Sequence, residues 1–154
     1  MAIQRVTHVG VCVSDMERSI RFYRDLLGFQ YLSRIHLVGE PSDTLLALKD
    51  VDFHAAYLER DGLRLELLWF ASPPASALEP PRRMNHLGFT HLSLRVTELD
   101  EIVERLKAQG VRVLDHTRID IAARGSAAVM LTDPDGLSIE LVQSPGDPAL
   151  PPRV

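Results

Sequence analysis

The sequence predicts an α+β fold built from two tandem βαβββ units, and three observations point to the duplication. Asp61-Gly62-Leu63-Arg64-Leu65-Glu66-Leu67 recurs as Asp135-Gly136-Leu137-Ser138-Ile139-Glu140-Leu141. Upstream, the run from Thr7 to Met16 is matched by the run from Thr90 to Leu99. A histidine and a glutamate therefore stand at the same places in each copy, His8 with Glu66 and His91 with Glu140.

Residues 3–13 read as a strand, and Ser14 or Asp15 then caps a helix over 16–27. Ile20, Tyr23, Leu26 and Leu27 follow helical spacing, which leaves Arg18, Arg21, Arg24 and Asp25 to the outer face. Gly28 closes the helix, and residues 29–38 form a second strand. Gly39 to Asp43 reads as a loop, and residues 44–50 fit either a strand or a helical turn. Strands over 53–59 and 63–70 are joined by a turn at Asp61-Gly62, because Asp-Gly favours the positive φ of a tight hairpin. In the last strand Leu63, Leu65 and Leu67 face one way, while Arg64, Glu66 and Leu68 face the other.

Prolines deny the backbone its ladder donors, so 71–87 is expected to be a Pro-rich linker between repeat units 3–70 and 88–143 of a single domain, 1–154. The second unit repeats the order: a strand over 89–96, a helix over 98–109 closed by Gly110, and a strand over 111–116. A loop then runs to Gly125, and 127–131 and 137–143 form a hairpin around Thr132-Asp133-Pro134-Asp135-Gly136. The tail from Ser144 holds four prolines and is expected to be extended or disordered.

Composition narrows the function. Of the 154 residues, 45% are hydrophobic and 25% charged, ordinary for a soluble globular protein, and a net charge of −4 supplies no basic stripe for nucleic acid. The lone cysteine, Cys12, reads as a small buried strand residue and fits a reducing compartment. No signal peptide and no bilayer-length apolar run is visible, so a cytoplasmic location without membrane contact is expected.

The segments HVGVCVSDMERSIRFYRDLLGF and DPDGLSIELVQ, with paired βαβββ units around them, resemble the vicinal oxygen chelate superfamily over about residues 3–143. That group includes glyoxalase I, methylmalonyl-CoA epimerase, extradiol dioxygenases, and fosfomycin- and bleomycin-resistance proteins. The resemblance implies that the units curl into an open barrel-like mixed sheet with the helices outside. It further implies one divalent ion per chain (Ni, Co, Zn, Mn or Fe) on His8, Glu66, His91 and Glu140, a small substrate with vicinal oxygens, and a homodimer. Two imidazoles and two carboxylates suit an octahedral first-row ion with two positions left open.

Within that group, glyoxalase I-like members carry His or Gln, then Glu, His and Glu, which this chain matches at all four positions. A fourth protein ligand at Glu66 fills the place an extradiol dioxygenase leaves for oxygen. The expected activity is therefore a metal-dependent isomerase or lyase of glyoxalase type, acting beside a carbonyl through a metal-bound enediolate, with Glu140 or Glu66 as the base. The alternatives are an Fe(II) ring-cleaving dioxygenase and a metal-free sequestration protein. Glutathione would need cationic clamps, and Arg82-Arg83 is the clearest pair. His86 is placed at a pocket mouth or on the surface, and His36, His54 and His116, which lack a repeat partner, read as structural or peripheral.

Overall fold

The computed structural model describes residues 3–77 and 83–147, and the chain separates into two compact units, Met1–Leu78 and Glu79–Val154. The first unit runs β1 (Val9–Cys12), α1 (Met16–Arg21), β2 (Gln30–Val38), α2 (Glu40–Leu46), β3 (Asp52–Arg60) and β4 (Leu63–Ser72). The second runs β5 (His91–Val96), α3 (Leu99–Ala108), β6 (Val113–Ile121), β7 (Ser126–Thr132) and β8 (Ser138–Gln143). Each unit forms one open four-stranded mixed sheet, ordered β1-β4-β3-β2 and β5-β8-β7-β6. In both, the first strand lies parallel to the last and the remaining pairs are antiparallel. The duplication read from the sequence is thus a duplication of topology.

Leu65 and Leu67 on β4, 3% and 0% exposed, fill one side of the first sheet with Leu58, Val13, Ile20 and Tyr23. Burying side chains of this size contributes roughly 1.5–3 kcal/mol each. Asp15 caps α1 as expected, its Oδ1 accepting from the backbone N–H of Arg18 at 2.9 Å. The helix then widens into a π turn over Phe22–Leu26, where Leu27 N–H reaches the Phe22 carbonyl. The widening lets consecutive Phe22 and Tyr23 both be buried, and Tyr23 meets Phe29 edge-on at 5.8 Å. Gly28 adopts φ +73°, and an added Cβ would run into the Arg60 guanidinium, which bonds the Leu27 carbonyl.

Four expectations are corrected. Strand β1 begins at Val9, paired with Leu65; in this register residues 3–6 fall beyond the Leu63 end of β4 and have no ladder to join. Gly39 to Asp43 is not a loop: Pro41 sits in the first turn of α2, where its fixed φ and missing N–H do no harm. The strand expected to end at His116 continues to Ile121 across an irregular register, with Thr117 Oγ1 donating to the Leu114 carbonyl and accepting from Met130 N–H. Cys12 is exposed, not buried, since its place opposite Leu68 gives it the same face as Gly10 and Glu66. Linker residues 78–82 and the proline-bearing tail from 148 lie outside the described residues.

The two Asp-Gly turns differ. Asp61 and Gly62 both have positive φ, 51° and 81°, the two-residue hairpin that the sequence predicts. The second turn is a five-residue loop between Thr132 and Ser138, organised by Asp133 at 3% exposure. Its Oδ1 accepts from the N–H groups of Asp135 and Leu137, at 2.9 and 2.7 Å. Asp133→Ala strands both donors and is expected to cost about 2 kcal/mol in urea unfolding, with Asp133→Asn costing about half as much. Equal midpoints for the parent and Asp133→Ala would show that the loop needs no such anchor.

Candidate metal centre

Each unit brings its histidine and glutamate together by pairing its first and last strands. In the first, Gly10 lies opposite Glu66, which places His8, two residues earlier, on the same face. His8 Nε2 stands 3.1 Å from Glu66 Oε2. In the second, His91 lies opposite Ser138 and Ser93 opposite Glu140. His91 Nε2 stands 3.9 Å from Glu140 Oε2.

The orientation of both imidazoles has the same source. The hydroxyl of Thr7 lies 3.1 Å from His8 Nδ1, and that of Thr90 lies 2.9 Å from His91 Nδ1. A partner on Nδ1 leaves Nε2 as the nitrogen facing the carboxylate, the arrangement that steadies a ligating histidine. The pairs are partly shielded: the side chains of His8 and Glu66 are 35% and 15% exposed, those of His91 and Glu140 both 31%. Borderline nitrogen and hard oxygen donors side by side suit a first-row divalent cation.

The carboxylates are supported differently. Tyr57, opposite Glu66 on β3, donates its hydroxyl to Oε1 at 2.5 Å, so both Glu66 oxygens are engaged. That hydrogen bond, with burial and the glutamate's charge adding to it, pushes the Tyr57 phenol up to about 12, so it remains a donor across the neutral range. Met130 holds the equivalent place opposite Glu140 and has no hydroxyl. Ser93 supplies one instead, donating to Glu140 Oε2 at 2.6 Å from the strand position where the first unit has Gly10. Tyr57 and Ser93 were not singled out in the sequence. Ser93 was legible in principle, standing two residues after His91 on the same strand face, whereas Tyr57 depends on the β3–β4 register.

Phe22 and Tyr23 pack the first helix, as expected, and Arg21, Arg24 and Asp25 are exposed. His86 is exposed in a local turn, its Nδ1 accepting from Arg83 N–H; Arg82 lies outside the described residues. His116 is exposed on β6. His36 and His54, expected to be structural or peripheral, lie together with Asp52. Partial burial, then the neighbouring His36 and Arg34, pushes His54 below its ordinary range.

Known proteins place this architecture. Residues 5–141 match the family described as the Glyoxalase/Bleomycin resistance protein/Dioxygenase superfamily. The Bacillus subtilis protein YwkD is 29% identical over 143 residues, covering 93% of this chain and 99% of its own. An ethylmalonyl-CoA/methylmalonyl-CoA epimerase of Cereibacter sphaeroides is 30% identical over 146 residues, covering 92% and 98%. A glyoxalase family protein from Bacillus cereus, 22% identical, superposes with a TM-score of 0.80 over 95% of this chain and 99% of its own, which shows the fold. Other relatives are named metallothiol transferase (Lysinibacillus sphaericus), lactoylglutathione lyase (Arabidopsis thaliana) and catechol-2,3-dioxygenase (Bacillus subtilis), so the relatives' chemistries differ. The tandem units, their strand order and this match together make the chain a member of the glyoxalase/bleomycin resistance/dioxygenase superfamily.

Proposed function

We propose that the chain is a metal-dependent isomerase or lyase of glyoxalase type, moving a proton on the carbon beside a carbonyl in a small substrate with two neighbouring oxygens. The supporting observation is the duplicated His–Glu pair, with a threonine hydroxyl on Nδ1 of each imidazole and Nε2 turned to a carboxylate. The ligand set we propose is His8, Glu66, His91 and Glu140, for one Ni, Co, Zn, Mn or Fe ion per chain. Such an ion, when bound, supplies a Lewis acid that stabilises negative charge developing on the substrate oxygen. The family resemblance also supports a homodimer, and no helix among the described residues is long and apolar enough to cross a membrane.

The carboxylates divide the work according to how they are held. Glu66 accepts the Tyr57 hydroxyl at Oε1, which leaves Oε2, the oxygen beside His8 Nε2, as the ligating atom of a steadily held carboxylate. Glu140 is approached at Oε2 alone, by Ser93 and His91, which leaves Oε1 as the oxygen able to take a proton. Glu140 is therefore the general base, and Ser93 keeps its carboxylate aimed while Oε1 works. Proton removal needs no oxygen, and a base 31% exposed leaves the abstracted proton a route to exchange with water.

Protein purified without chelator and dialysed is expected to retain about one divalent ion per chain by elemental analysis, and His8→Ala with His91→Ala to lose it. Retention unchanged in that double variant would remove the ligand set. Glu140→Gln is expected to lower kcat by two to four orders of magnitude with the circular dichroism intact, whereas Tyr57→Phe should chiefly loosen the ion. Parental turnover in Glu140→Gln would take Glu140 out of the chemistry. On a panel of α-oxo thioesters and catechols, solvent deuterium is expected to enter the position beside the carbonyl with no oxygen consumed. Oxygen uptake matched to catechol loss would instead establish ring cleavage.

A further inference from the structure

Asp52, His54 and His36 lie at the end of the first sheet, away from the His8–Glu66 pair. His36 on β2 stands opposite His54 on β3, and His54 stands opposite Trp69 on β4. Trp69 shares the strand face of Leu65 and Leu67, so this cluster and Glu66 occupy opposite faces of one sheet. The His36 and His54 rings stack at 4.2 Å and 9°, and His36 Nε2 is 2.7 Å from Asp52 Oδ1. One donor atom from each of the three residues falls within 4.8 Å of the other two. An ion pair between His36 and Asp52 has no use for a second imidazole, yet His54 brings one against the first.

We propose that His36, Asp52 and His54 form a second divalent-metal site, separate from the centre described above, which takes a borderline ion such as Zn(II) or Ni(II) and completes its coordination with water. Two imidazole nitrogens and one carboxylate oxygen are the donors of three-ligand zinc sites. Bonds of about 2.0–2.2 Å put neighbouring donors roughly 3 Å apart, so the His36–Asp52 pair opens only slightly to admit an ion, the shared hydrogen passing to solvent. His36 and His54 are cross-strand partners fixed by the ladder and Asp52 stands two residues before His54 on β3, and the side chains of His36 and Asp52, 50% and 42% exposed, leave an ion a path from water. Binding here ties edge strand β2 to β3.

Trp69, the chain's one tryptophan, reports on the site, its ring 5.7 Å from that of His54. Chelator-stripped protein is titrated with Ni(II), a paramagnetic quencher, and Trp69 emission is followed. Saturable quenching, reversed by excess Zn(II), is expected in the parent. His36→Asn and His54→Asn should each raise the Ni(II) concentration for half-quenching tenfold or more, and Asp52→Asn, the gentlest change to the strand, should raise it as well. His8→Ala should leave saturable quenching of the same amplitude. Absence of saturable quenching in the parent, an unmoved curve in Asp52→Asn and the His36→Asn variant, or a curve abolished by His8→Ala overturns the site. A site this open to water is expected to empty on dialysis, so the retained ion reports the proposed centre and the quenching curve reports this one, and the two fail separately.

Discussion

Register between the first and last strand of each unit is the constraint on which the rest depends. A parallel pairing that sets Gly10 against Glu66 and Ser93 against Glu140 is what brings a histidine from one end of the repeat to a carboxylate at the other. Side chains alternate with period two, so a slip of one residue would turn Glu66 toward the side now filled by Leu65 and Leu67. That slip would desolvate a carboxylate without a partner and expose two leucines, both costly. The apolar residues thus hold the polar ones in place without touching them. Ile139 and Leu141, 0% and 1% exposed, flank Glu140 in the same way.

Duplication kept the pair and changed its support. Each histidine has its threonine, and each glutamate has one short hydroxyl contact, but the hydroxyl comes from a middle strand in one unit and from the first strand in the other. Gly10 is the reason: without a side chain it offers Glu66 nothing, and the longer reach of Tyr57 across β3 takes over. The consequence is chemical. One carboxylate meets partners at both oxygens and the other at one, so two residues at equivalent positions sit in different polar surroundings.

The first sheet also shows how little backbone is needed to carry two polar clusters. Glu66 and Trp69 are three residues apart on β4 and face opposite ways. An exposed edge strand such as β2 is where a cross-strand histidine pair can remain open to water.

The repeat, the helix starts and ends at Asp15, Gly28 and Gly110, the Asp61-Gly62 hairpin and the four candidate ligands were legible in the sequence, because each is a local signal or a comparison of the chain with itself. What the sequence left open involves partners far apart in the chain. The N-terminus of α3 is capped not by a neighbour but by Gln143, whose side-chain oxygen accepts from Leu99 N–H at 2.7 Å across 44 positions. Tyr57 and Ser93 as props for the glutamates, the exposure of Cys12, and the meeting of His36 with His54 and Asp52 all follow from which strands lie side by side and in what register. Alternation along one strand says which residues share a face. Only the tertiary structure decides which neighbouring strand that face meets, because pairing is settled by the packing of the whole sheet and not by any one segment.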